Sequence, residues 1–252
     1  MPVFEKDDEA GCWRPSELAR GPFAGLQGGA IAGLLIGEVE RFAAADGLGF
    51  PAHATIWFLR PAPLARLRVR TDLVQPGNRV TVVDARLHAT DSDRVLAVAR
   101  VSVVRPRPVA IALGSSGYST EVDPTTLPLR EAKAPHGGGW FMDAMEVRHG
   151  ANGVLWFRMV TPVLEGAGAL ATAAGPADWS HGIARPLTGV VADPNSNLNI
   201  HLLRPPRGEW LGIDAHTSWY PPDGTGIGSA RLFDAEGEVG AVSMSVMLTP
   251  FA

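Results

Sequence analysis

The sequence predicts an α+β fold built twice over, a helix followed by an antiparallel meander and then the same again. Three observations predict it. Two segments read alike at one constant offset; each segment alternates apolar and polar residues with the period of strands; and each is preceded by a run that reads as a helix. The offset is 144 residues, both from Arg60 to Arg204 and from Val95 to Val239. A register held that long points to an ancient duplication.

The first helix is expected from about Gln27 to Ala45, with Ile31, Leu34, Leu35 and Val39 at helical spacing and Gly47 beyond its end. Gly28, Gly29, Gly33 and Gly37 lower its propensity, so packing against a curved sheet must hold it. Next comes Trp57-Phe58-Leu59-Arg60-Pro61. Then Leu67, Val69, Thr71 and Leu73 alternate with Arg66, Arg68, Arg70 and Asp72, the pattern of a half-buried strand. Turns at Gln75-Pro76-Gly77-Asn78 and Asp91-Ser92-Asp93 separate it from strands at Val80–Val83 and Val95–Val104.

Pro106 to Pro135, rich in Pro, Ser, Thr and Gly, reads as a linker. The chain is therefore expected to divide into 1–105, 106–135 and 136–252. A second helix is expected near Asp178 to Asp193, weakened by Pro186, and the second meander runs from His201-Leu202-Leu203-Arg204-Pro205 to Val239–Ser243.

Composition limits the functions open to this fold. The 252 residues are 46% hydrophobic and 19% charged, with 29 Gly and 21 Pro, which suits a core-forming chain rich in turns. A net charge of −4 lacks the basic footprint of a nucleic-acid binder. Cys12 is the one cysteine, so no internal disulfide forms. The acidic stretch Glu5–Glu9 is unlike a signal peptide, and the apolar run from Ala30 stops at Glu38, short of the roughly 20 residues that a membrane span needs. A cytoplasmic setting is the expectation.

Two blocks carry a resemblance. Arg20-Gly21-Pro22-Phe23 leads into Gln27-Gly28-Gly29-Ala30, and Ser196-Asn197-Leu198-Asn199-Ile200-His201 runs on through Arg204-Pro205-Pro206 to Gly208-Glu209-Trp210. Together they resemble the thioesterase-like superfamily that includes acyl-CoA thioesterase II. The resemblance implies a double hotdog, two tandem units each with a central helix wrapped by a curved antiparallel sheet, assembling further into a homo-oligomer. It implies hydrolysis of an acyl-CoA or other acyl thioester by water, without metal or organic cofactor.

The family's catalytic trio of Asp, Ser or Thr, and Gln would fall on Asn197, Thr217 (with Ser218 beside it) and Met244, or Ser243 if the register slips by one. Asn cannot take a proton as a base, and Met cannot orient a water. The alternative is therefore a hotdog protein that binds acyl-CoA or acyl-lipid without turning it over.

Gln27, Gly28 and Gly29 are candidates for an oxyanion hole, because N–H groups at a helix start, aided by the helix dipole, can polarise a carbonyl. Their plainer role is to let the helix lie tight on the sheet. Glu38, Glu40 and Asp193 are substitute bases, set against a salt-bridged helix end beside Arg41 and a turn before Pro194. The histidines lack metal-ligand spacing. His136-Gly137-Gly138-Gly139 has no accompanying Gly-x-Ser-x-Gly elbow, and Gly224-Thr225-Gly226-Ile227-Gly228 reads as a hairpin turn.

Overall fold

A computed structural model describes residues 1–110, 122–131, 138–183 and 191–250. Its first copy contains strands β1 (Phe4–Lys6), β2 (Cys12–Pro15), helix α1 (Gly28–Ala45), and β3 (Phe50–Phe58), β4 (Leu67–Gln75), β5 (Val80–Ala89) and β6 (Val95–Val104). The second repeats the plan with β7 (Met145–His149), β8 (Leu155–Met159), α2 (Ala169–Ala177), α3 (Ser180–Ile183), β9 (Val191–Ala192), β10 (Asn197–Leu202), β11 (Trp210–Tyr220), β12 (Thr225–Asp234), β13 (Gly237–Met247) and β14 (Thr249–Pro250). Strands β9 and β14 pair with each other; the other twelve form one sheet in the order β1-β2-β4-β5-β6-β3-β10-β13-β12-β11-β8-β7. The order is palindromic, so the two copies meet edge to edge.

That meeting is the antiparallel pair β3–β10, in which His53 faces His201 and Trp57 faces Asn197. The His53 and His201 rings stack there with centroids 4.2 Å apart. Both helices lie on one side of the sheet and pack against each other. The expected alternation holds in the first half of β4, where Leu67 and Val69 are buried and Arg70 is exposed, and is lost beyond it, where Thr71 is half-buried and Leu73 is exposed. Four short strands, β1, β2, β7 and β8, extend the sheet at its ends where the sequence reading had none.

Helix α1 begins one residue after Gln27, as its periodicity requires, and its apolar face is buried from Gly29 through Val39. Its glycines serve the helix pair. A Cβ at Gly29 would lie 2.6 Å from Gly175 O, and one at Gly33 3.1 Å from Ala171 O, so α1 and α2 touch through backbone.

The second helix departs from expectation. It begins at Ala169 and its described part ends at Ile183, so the expected span from Asp178 to Asp193 starts too late; Pro186 lies outside the described residues. Two physical causes hid it. Ala169–Ala177 is a run of small residues buried on nearly every side, which leaves no amphipathic stripe. Its N-terminus is satisfied by a distant residue, Glu40 of α1, which accepts from the backbone N–H groups of Gly168 (2.6 Å), Leu170 (3.1 Å) and Ala171 (3.2 Å). Pro176, in the last turn, has no N–H to continue the ladder, and α2 ends with Asp178 at its C-cap.

Among the described residues, no helix is long and apolar enough to cross a membrane. His136 lies outside the described residues. Of the glycine run 224–228, Gly224 makes the turn with φ of 65°, whereas Gly226 and Gly228 lie inside β12.

Candidate active site

A cavity of about 540 Å³ opens between the two copies, within the size range of small-molecule sites. The first copy contributes Gln27 and Gly28 from the start of α1, with Ile31 and Phe58 nearby; the second contributes Asp178, His181 and Asn195. Apolar walls with a few converging polar groups are the usual make-up of a ligand site.

Asp178 is the centre of the polar cluster. It is 1% exposed, and its carboxylate accepts from Gln27 Nε2 at 2.6 Å and from Asn195 Nδ2 at 2.7 Å. The Gly29 backbone N–H also donates to it. Burial pushes its pKa above the usual carboxylate range, while His181, Asn195, Gln27 and Gly29 pull the other way. A buried carboxyl with a raised pKa, lining a cleft beside a second titratable group, makes this cluster the candidate site.

Gln27 ties this carboxylate to the helix. Its Oε1 accepts from Ala30 N at 3.1 Å, capping α1, while its Nε2 holds Asp178. Ala30 and Gly29 N–H groups are thus engaged, and Ile31 N bonds Gln27 O. Gly28 is the remaining first-turn residue, and it lines the cavity. The oxyanion candidates therefore play separate parts: Gln27 and Gly29 hold Asp178, while Gly28 N–H has no hydrogen-bond acceptor among the described residues.

Asn197 and Thr217 do not line this cavity. Asn197 Oδ1 accepts from Ser245 N at 2.8 Å, fastening β10 to β13, while its backbone carbonyl takes a second bond from the Asn195 amide at 3.1 Å. It stands one residue behind the site and supports the one that holds Asp178. Thr217 pairs across the ladder with Gly228, in the inward phase of β11.

Glu40 is occupied as the cap of α2, and Glu38 faces Arg41 and Trp13. Asp193 is buried, has an interaction of its own, and is not part of the cavity lining. Met244 is buried, with its sulfur 3.1 Å from His181 Nδ1.

Asp178, His181 and Asn195 were missed by the sequence reading. The available signal was the spacing Asp178-x-x-His181, which puts both side chains on one face of a helical turn. Placing the helix some nine residues too late hid it.

Residues 19–105 match the acyl-CoA thioesterase N-terminal domain and residues 131–248 the acyl-CoA thioesterase C-terminal domain. A proposed thioesterase from Novosphingobium aromaticivorans superposes with a TM-score of 0.74 at 18% identity, covering 100% of both chains. The acyl-CoA thioesterase II TesB2 of Mycobacterium marinum superposes at 0.68 and 16% identity, covering 99% of this chain and 95% of that one. A conserved protein with a hot dog fold from Alicyclobacillus acidocaldarius gives 0.73 at 14% identity, covering 99% and 96%. At such identities these structures establish the double hotdog fold. A search of curated sequences returns no match.

Proposed function

Since the chain belongs to the acyl-CoA thioesterase family, both of whose domains it matches in order, we propose that it hydrolyses an acyl thioester in the cavity between its two copies. The observation that carries this is Asp178, a buried carboxylate anchored by Gln27 and Asn195 beside the start of α1. The thioester carbonyl oxygen would lie against Gly28 N–H, where the helix dipole favours developing negative charge. The acyl chain would run along Leu26, Ile31, Phe58 and Met247. Asp178 would take the proton from the attacking water, and a raised pKa brings such a base closer to neutral pH.

Binding without turnover was the alternative suggested by Asn197 and Met244. Asp178 supplies the base that those positions lack, so the hydrolytic reading is preferred. The test is thiol release from acyl-CoAs of graded chain length by the unaltered protein and by Asp178→Asn. General-base loss costs roughly 10²–10⁴ in rate, so kcat should fall at least a hundredfold with acyl-CoA binding retained. The acidic limb of the unaltered enzyme's kcat/KM should lie above the ordinary carboxylate range, with activity lost as pH falls through it. Saturable binding with no turnover at any chain length would restore the binding-protein reading.

A further inference from the structure

His181 is a buried histidine in the wall of the same cavity, three residues after Asp178. Three features describe a place made for its ring. Gly228 of β12 has no side chain where α3 comes down on the sheet; a Cβ there would lie 2.9 Å from His181 Cβ. Met244 of β13 presents its thioether 3.1 Å from His181 Nδ1. Sulfur only accepts, so in the neutral ring Nδ1 carries the hydrogen and Nε2 the lone pair. Finally, Asp178 and His181 stand three residues apart in sequence and line one cavity. Two acceptors on the wall of one cavity can take the two hydrogens of a single water.

We propose that His181 is a catalytic residue of this site: its Nε2 and the Asp178 carboxylate accept the two hydrogens of one water and so aim an oxygen lone pair at the thioester carbonyl. This rests on the cavity being the thioester site. The water oxygen bonds to the carbonyl carbon as the π pair moves to oxygen beside Gly28 N–H. The hydrogen on the Asp178 side passes to that carboxylate; the one on the His181 side stays on the new hydroxyl. Collapse of the tetrahedral species breaks the C–S bond with its pair on sulfur, and the thiolate takes the proton back from Asp178. Acid and thiol leave, and the site is restored. Met244 acts through His181, as the residue that fixes the ring's tautomer and direction.

The experiment is thiol release by the full chain carrying His181→Leu, His181→Gln or Met244→Leu, beside Asp178→Asn. His181→Leu should lower kcat at least a hundredfold while KM stays within threefold. His181→Gln should keep at least ten times more activity than His181→Leu, because its amide oxygen can reach the place of Nε2. Met244→Leu keeps the volume but removes the acceptor, and should lower kcat several-fold at unchanged KM. A His181→Leu enzyme within threefold of the unaltered kcat would overturn the proposal, as would equal loss in the Gln and Leu variants, which would make the ring a spacer. If His181→Leu does not fold, His181→Gln and Met244→Leu decide: both at the unaltered kcat would overturn it. Activity in Asp178→Asn would instead sink the thioester site itself, whereas an inactive Asp178→Asn beside an active His181→Leu sinks this inference alone.

Discussion

Arg60 and Arg204 occupy the same Arg-Pro turn in the two copies, 144 residues apart, and do different work. Arg204 forms a two-pronged pair with Asp234, whose side chain is fully buried and which also accepts from Arg207 N and Glu236 N. The residue matching Asp234 in the first copy is Thr90, whose hydroxyl donates to Arg66 O. Without an acid opposite, Arg60 donates to Val95 O and takes a place in the cavity wall. Duplication supplied one scaffold twice, and with Asp234 in one copy and Thr90 in the other, one arginine is tied into the fold and the other stands at the cavity wall. The helices diverge in the same way. Helix α1 runs 18 residues and offers its N-terminus, while α2 stops after 9 and offers the carboxylate at its broken end.

The arginine comparison predicts the largest effect on stability. Burial works against the Asp234 charge, yet Arg204 and the two backbone N–H groups hold its carboxyl below the usual range. Removing one partner of a buried pair typically costs 3–5 kcal/mol, so Arg204→Met should destabilise the fold by about 3 kcal/mol in urea unfolding near pH 7. Arg60→Met should change it by about 0.5 kcal/mol or less, as for other surface positions. The sign with pH follows from the depressed folded pKa. The pair's contribution is present above the unfolded Asp pKa, about 3.9, and is lost as pH falls through the folded value. The difference between the two variants should therefore shrink in acid. Equal losses at neutral pH would show that the copies are not specialised at this turn.

The helix comparison gives a smaller effect. A Cβ at Gly29 meets backbone, Gly175 O at 2.6 Å, and Asp178 Cβ at 3.0 Å, whereas one at Gly37 meets only the side chain of Leu164. Gly29→Ala should cost about 1–3 kcal/mol from overpacking, and lower kcat because it displaces Asp178. Gly37→Ala should cost less and leave kcat unchanged, since Leu164 can turn aside. Melting temperature and thiol release on the same two variants would separate a packing glycine from one that also positions the base.

How much of this was legible in the sequence follows the same division. Strands announce themselves by alternation, so the two meanders and their register could be read from residues such as Leu67 and Val69. Helix α1 could be read too, because its stripe and Gly47 are local signals. Helix α2 could not: its cap is Glu40, 128 residues earlier, and its small residues are buried on almost all sides. The resemblance pointed to Asn197, which stands behind Asn195 and so one bond short of the carboxylate that matters. Gln27 and Gly28 were found because a helix start is a visible feature. Asp178, His181 and Asn195 converge only after the second helix is placed, and spacing alone could not place it.

Arg60 provides the mildest and most specific test. Its guanidinium is exposed, among the described residues it has no carboxylate within ion-pair distance, and it borders a cavity proposed to admit a thioester on a phosphate-bearing carrier. An arginine so placed can meet a phosphate with two parallel N–H donors, while taking no part at the carbonyl. Arg60→Gln should therefore raise KM for acyl-CoA several-fold and leave kcat nearly unchanged, the mark of binding shared by ground and transition states. The increase should shrink as salt is added, because exposed charges are screened within about 10 Å at 0.1 M. Hydrolysis of a short thioester without phosphate, such as an N-acetylcysteamine ester, should show no change in KM. If KM rose equally for both substrates, Arg60 would be shaping the cavity wall through its bond to Val95, and the two arginines would be more alike in function than their partners imply.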